Sequence, residues 1–101
     1  MDALEKLIGQ GFVLRNLHTY PRHLRVEKYG CAALVEQTPE GRWKQFSAAG
    51  YLLDGQIALL VEREGRQVFA YKSKQILAEG EALANFRRFE QELRTAVTSD
   101  E

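Results

Sequence analysis

A chain of 101 residues, 45% hydrophobic and 28% charged, has the make-up of one folded domain. It is too short for two well-packed cores and too apolar for a disordered chain. Formal net charge is zero, with 14 basic and 14 acidic side chains, which weighs against non-specific nucleic-acid binding driven by phosphate neutralisation.

The balance hides a polarity. From Asp2 to Lys74 there are 11 basic and 8 acidic residues, and from Glu79 to Glu101 there are 3 and 6, so a mildly basic sheet beside an acidic helix and tail is expected. The lone Cys31 leaves no intramolecular disulfide and fits a reducing compartment. No apolar run approaches the roughly 20 residues of a membrane span, and no secretory signal opens the chain. A cytoplasmic protein without membrane contact is therefore expected, built as a single α+β domain over residues 1–101 with 98–101 frayed.

In chain order, Leu4, Leu7 and Ile8 make a narrow helical stripe, with Asp2 as N-cap and Gly9 and Gly11 as the stop. Phe12–Leu17 alternates as a strand, and His18–His23, with Pro21 inside it, reads as a loop or edge. Leu24–Tyr29 and Cys31–Gln37 alternate on either side of Gly30, which is either a bulge in one long strand or a turn between two. Thr38-Pro39-Glu40-Gly41 is a tight turn leading to a strand over Arg42–Ala48, with Trp43 and Phe46 on opposite faces. Asp54-Gly55 and Glu64-Gly65 mark hairpins that join Tyr51–Leu53, Ile57–Arg63 and Gln67–Lys72.

The period then changes to 3.6. Ala82, Phe86, Phe89, Leu93 and Ala96 or Val97 form one face of a helix over Glu81–Val97, with Arg88–Glu92 and Glu90–Arg94 as i,i+4 charge pairs. The fold class expected is α+β: an antiparallel meander of about five strands, a short N-terminal helix, and a long amphipathic C-terminal helix on the sheet. Ile57–Val61 and Val68–Tyr71 are apolar on both sides of the pleat. They ask for cover on both faces, from the N-terminal helix or from a second copy.

The segment from Arg15 to Arg25 holds both histidines and three arginines with no carboxylate. Arg15, His18, Tyr20, Arg22, His23 and Arg25 thus form a candidate anion or single-stranded nucleic-acid site, with guanidinium forks for phosphate or carboxylate and Tyr20 for stacking. The bland reading is a solvated loop whose arginines pair with Glu27 and its sheet neighbours. His18, His23 and Cys31 lack metal-ligand spacing, and Cys31 in an Ala-rich strand reads as a packing residue. Trp43, Phe46 and Tyr71 are the candidate interaction surface. No cofactor, metal or catalytic set is expected. A non-enzymatic interaction module that self-associates, as a dimer or with another protein, is the leading expectation; nucleic acid is the second.

Overall fold

The helical stripe and the alternating segments resolve into two layers. In a computed structural model that describes residues 3–98, α1 (Ala3–Gly9) is followed by β1 (Val13–Asn16), β2 (His23–Lys28), β3 (Cys31–Gln37) and β4 (Trp43–Gln45). Then come β5 (Gly50–Leu53), β6 (Gln56–Arg63), β7 (Arg66–Tyr71), β8 (Lys74–Leu77) and α2 (Gly80–Thr98). The Asp2 cap and the tail beyond Thr98 lie outside the described residues.

All strand pairs are antiparallel, in the order β1-β2-β3-β5-β6-β7-β8 with β4 paired to β3. The meander therefore holds, but it has eight strands rather than about five. The strand that no pattern announced is β8, an edge strand in which all four residues are exposed. Without a buried side, it has no apolar alternation to read.

Three of the hairpins turn on two residues that both have positive φ: Tyr29-Gly30, Asp54-Gly55 and Glu64-Gly65. That is the requirement of the turn whose twist matches its strands, and it settles Gly30 as part of a turn. Tyr29 is an unusual occupant, since bulky residues avoid this region. Its ring is held under the Arg88 guanidinium, 5.4 Å from the centroid, and its hydroxyl donates to Glu92 at 2.8 Å.

The expected strand Arg42–Ala48 is broken. Val35 pairs with Gln45 and Ala32 with Gly50, so four residues, Phe46–Ala49, oppose only Ala33 and Leu34. The excess is absorbed as a bulge anchored on Leu34 by hydrogen bonds. Phe46 and Ser47 N–H donate to the Leu34 carbonyl at 2.8 and 3.3 Å, and Leu34 N–H donates to Ser47 Oγ at 3.0 Å. Gly50 closes it: an added Cβ would collide with the Ala58 carbonyl and come 2.6 Å from Ile57 Cγ2.

The register assigns the two faces. One carries Leu24 and Val26, Cys31, Ala33 and Val35, Tyr51 and Leu53, Ala58 and Leu60, and Phe69 and Tyr71. All of these belong to or pack on a single core with Phe86, Phe89, Leu93, Ala96 and Val97 of α2. The helical stripe thus docks as its spacing predicts. Tyr51 stacks on Phe69 at 5.2 Å, and Phe86 meets Phe69 edge-on at 5.1 Å. Such pairs add about 0.5–1.5 kcal/mol to the burial of their area.

The short helix α1 buries Ala3 and Leu7 and lies against α2 and β1. Ile8, expected in its stripe, is exposed. Phe12 continues the chain into the core against Phe89, and its N–H caps Leu7. Lys28 joins three elements, donating to Glu92 of α2 at 2.6 Å and to the Gln10 carbonyl just after α1.

Both helices therefore sit on one side of the sheet. The shortest molecular dimension, 19 Å, accommodates a sheet and one helical layer and leaves no room for a second. The opposite face of the sheet has no layer over it.

Candidate functional site

The open face is built from the other parity of each strand: Ala32 and Leu34, Leu52, Ile57, Leu59 and Val61, Val68 and Ala70, and Leu77. Its centre is apolar, and Arg63, Arg66 and Gln75 stand with Leu77 towards β8. Phe46 is 55% exposed, Leu59 43%, Leu77 41% and Val61 37%.

Two hollows share Leu34 as a wall. One, of about 280 Å³, is lined by Leu17, Tyr20, His23, Leu34 and Phe46. The other, of about 380 Å³, runs over Ile57, Leu59 and Ala70 beside Ser47 and Ala48. Strand alternation puts Phe46, one residue after the Gln45–Val35 pair, on the open face. There the Phe46 ring meets His23 edge-on at 4.5 Å, with Tyr20 on the other side of His23 at 5.6 Å. His23 Nδ1 is shut off from solvent and has no hydrogen-bond partner among the described residues, so the hollow presents ring surface rather than a proton acceptor.

The sequence candidates separate into groups. Tyr20 and His23 join Phe46 in the aromatic hollow. Arg15 and Arg25 sit directly opposite one another in the β1–β2 register, and both Nε groups donate to the same Glu27 oxygen at 2.7 Å. Arg25 also donates to the Gly55 carbonyl at 3.0 Å. The Nε groups of both, and one Nη of Arg25, are thus engaged internally. His18 and Arg22 are exposed and are not drawn into the aromatic hollow.

The trio Trp43, Phe46 and Tyr71 does not form one surface. Trp43 and Tyr71 point to the helix side and pack on the core, whereas Phe46 is on the open side. Strand alternation is the reason: Trp43 and Gln45 pair with Gln37 and Val35 on the helix side, which puts Phe46, one residue on, on the open side. Leu34, Leu59 and Leu77 belong to the open face and carried no signal individually; the two-sided apolar patterns of Ile57–Val61 and Val68–Tyr71 pointed to the face they share.

Cys31 lies in the core. Burial pushes its thiol up to about 12, with the Glu90 charge adding to the effect. Among the described residues, no three His, Cys, Asp or Glu side chains could hold a metal ion together. No described helix is long and apolar enough to cross a membrane.

The class these features define is an α+β protein with a two-helix layer on one side of an antiparallel sheet and an apolar, uncovered face on the other. Compared with protein-family models, curated proteins and solved structures, the chain matches none.

Proposed function

We propose that this protein is a non-enzymatic interaction module that self-associates through the open face of its sheet. The observation that carries this reading is the gathering of large exposed apolar side chains on one face, Phe46, Leu59 and Val61, with Leu77 beyond the Arg63 side chain. Large apolar side chains in contact with water lose the roughly 25 cal/mol per Å² that burial supplies, and patches of this kind mark interaction surfaces. A formal net charge of zero removes the long-range repulsion that keeps like molecules apart. A second copy offers the same apolar face, and a twofold arrangement would bury both at once.

The other reading, an anion or single-stranded nucleic-acid surface over residues 15–25, draws no support from this arrangement, because Arg15 and Arg25 already share Glu27.

Sedimentation equilibrium on the wild type and on Leu59→Asp tests the proposal. The expected result is a concentration-dependent dimer whose dissociation constant rises at least tenfold in the variant, since a buried carboxylate would have no partner. A wild-type monomer at millimolar concentration, or a variant that dimerises equally well, would sink it.

A further inference from the structure

We propose that Arg63 and Arg66 form a binding site for a carboxylate carried on an apolar body, at the tip of the β6–β7 hairpin. The two residues close this hairpin and are direct cross-strand partners. Their side chains therefore leave the same face, the open one, with Cβ atoms about 5 Å apart, where like charges repel.

The protein contains a second pair of the same kind. Arg15 and Arg25 are also direct cross-strand partners, and there the repulsion is relieved by one carboxylate, with Glu27 bridging both guanidinium groups at 2.7 Å. Glu27 can do this because it lies two residues after Arg25 on the same face. Two residues after Arg66 on that face is Val68, and two before Arg63 is Val61. The β6–β7 pair thus has the geometry of the first but lacks its carboxylate.

None of the ion pairs among the described residues includes Arg63 or Arg66. The charge-neutral Gln75 accepts from Arg63 Nη1 at 2.8 Å. To reach Gln75 on β8, the Arg63 side chain crosses β7 above Val68, which explains why Val68 is only 3% exposed on a face without a covering layer.

Around the pair lies a hollow of about 620 Å³, lined by Arg63, Glu64, Arg66, Val68, Gln75 and Leu77. Its chemistry selects the ligand. Two guanidinium forks offer paired N–H donors of the spacing a carboxylate accepts. Glu64 on the rim reduces the local charge to that of one cation, which suits a monoanion better than a phosphate dianion. Val68 and Leu77 supply an apolar wall for the body that carries the carboxylate. The site lies within one chain but shares Leu77 with the face proposed to self-associate, so it is read on the monomer.

The test uses acetate, hexanoate and inorganic phosphate as probes of the dilute protein at low ionic strength, followed through the side-chain Nε–H resonances of its arginines. Saturable shifts at Arg63 and Arg66 are expected, with hexanoate at least threefold tighter than acetate and tighter than phosphate. Arg63→Gln and Arg66→Gln should each weaken hexanoate at least fivefold, while Arg22→Gln leaves it unchanged. Arg66→Glu supplies the absent carboxylate from within, so it should abolish binding and raise the melting temperature. Shifts that track ionic strength without saturating would overturn the proposal. So would phosphate binding as tightly as hexanoate, or equal weakening by Arg22→Gln. Dimerisation observed without hexanoate binding would overturn this site alone and leave the proposed function standing.

Discussion

Glu92 shows how single side chains decide the placement of the helix. Burial pushes its carboxyl up, but hydrogen bonds from Lys28 and Tyr29 and the charges of Lys28 and Arg88 outweigh that and hold it below its ordinary 4.5. The hydrogen bond to Glu92 is the largest influence on Lys28, whose ammonium is held above its ordinary 10.5 although burial opposes it. A depressed carboxylate stabilises the fold at any pH above its ordinary value, and that stabilisation is lost as pH falls through the folded value. Glu92→Gln is therefore expected to cost about 1 kcal/mol from pH 6 to pH 8. Urea denaturation of both proteins should show the difference shrinking below pH 4.5. It should shrink again above pH 10.5 as Lys28 deprotonates. A difference independent of pH would mean that the interaction is not ionic. For Cys31, burial and a thiol pushed up to about 12 predict that at pH 8 a thiol reagent labels it only as fast as the protein unfolds; labelling at the rate of a free thiol would contradict the packing. Little of this was readable in advance. Glu92 fits an i,i+4 pair with Arg88 along the helix, yet both its oxygens reach across to Lys28 and Tyr29, because docking brings the β2–β3 turn beneath that helical face.

At the scale of elements, local pattern and long-range geometry contributed differently. The α2 stripe was legible because its buried positions, Phe86, Phe89, Leu93, Ala96 and Val97, repeat at the helical period, and the hairpins were legible from Asp-Gly and Glu-Gly. The interruption at Phe46–Ala49 was not, because its cause lies in another strand: β5 must pass so close to β6 that only a glycine fits at residue 50. Gly50→Ala is expected to destabilise the fold by about 1–3 kcal/mol, the usual cost of overpacking, and to reorient Phe46. Chemical denaturation measures the first effect, and loss of the ring-current shift on His23 the second. Unchanged stability would mean that the strands can separate at that point without penalty.

At the scale of the molecule, the two-sided apolar strands posed a question that the fold answers on one side only. The helices α1 and α2 occupy the same side of the sheet, with Leu7 and Phe12 extending the α2 core instead of closing the second face. The uncovered face could be inferred from Ile57–Val61 and Val68–Tyr71. Its composition was legible in part: alternation sets Phe46 on the face opposite to Trp43, and Arg63 and Arg66 are neighbours through the hairpin register. That register was itself readable: a two-residue turn at Glu64-Gly65 pairs the residues on either side of it.

The central claim is that this face meets its counterpart on a second copy. Isotope-filtered nuclear Overhauser spectroscopy on an equimolar mixture of labelled and unlabelled chains tests it most directly. The account predicts intermolecular cross-peaks among the Leu59, Val61 and Leu77 methyl groups and the Phe46 ring. Intermolecular cross-peaks confined to α2, or none at millimolar concentration, would contradict it.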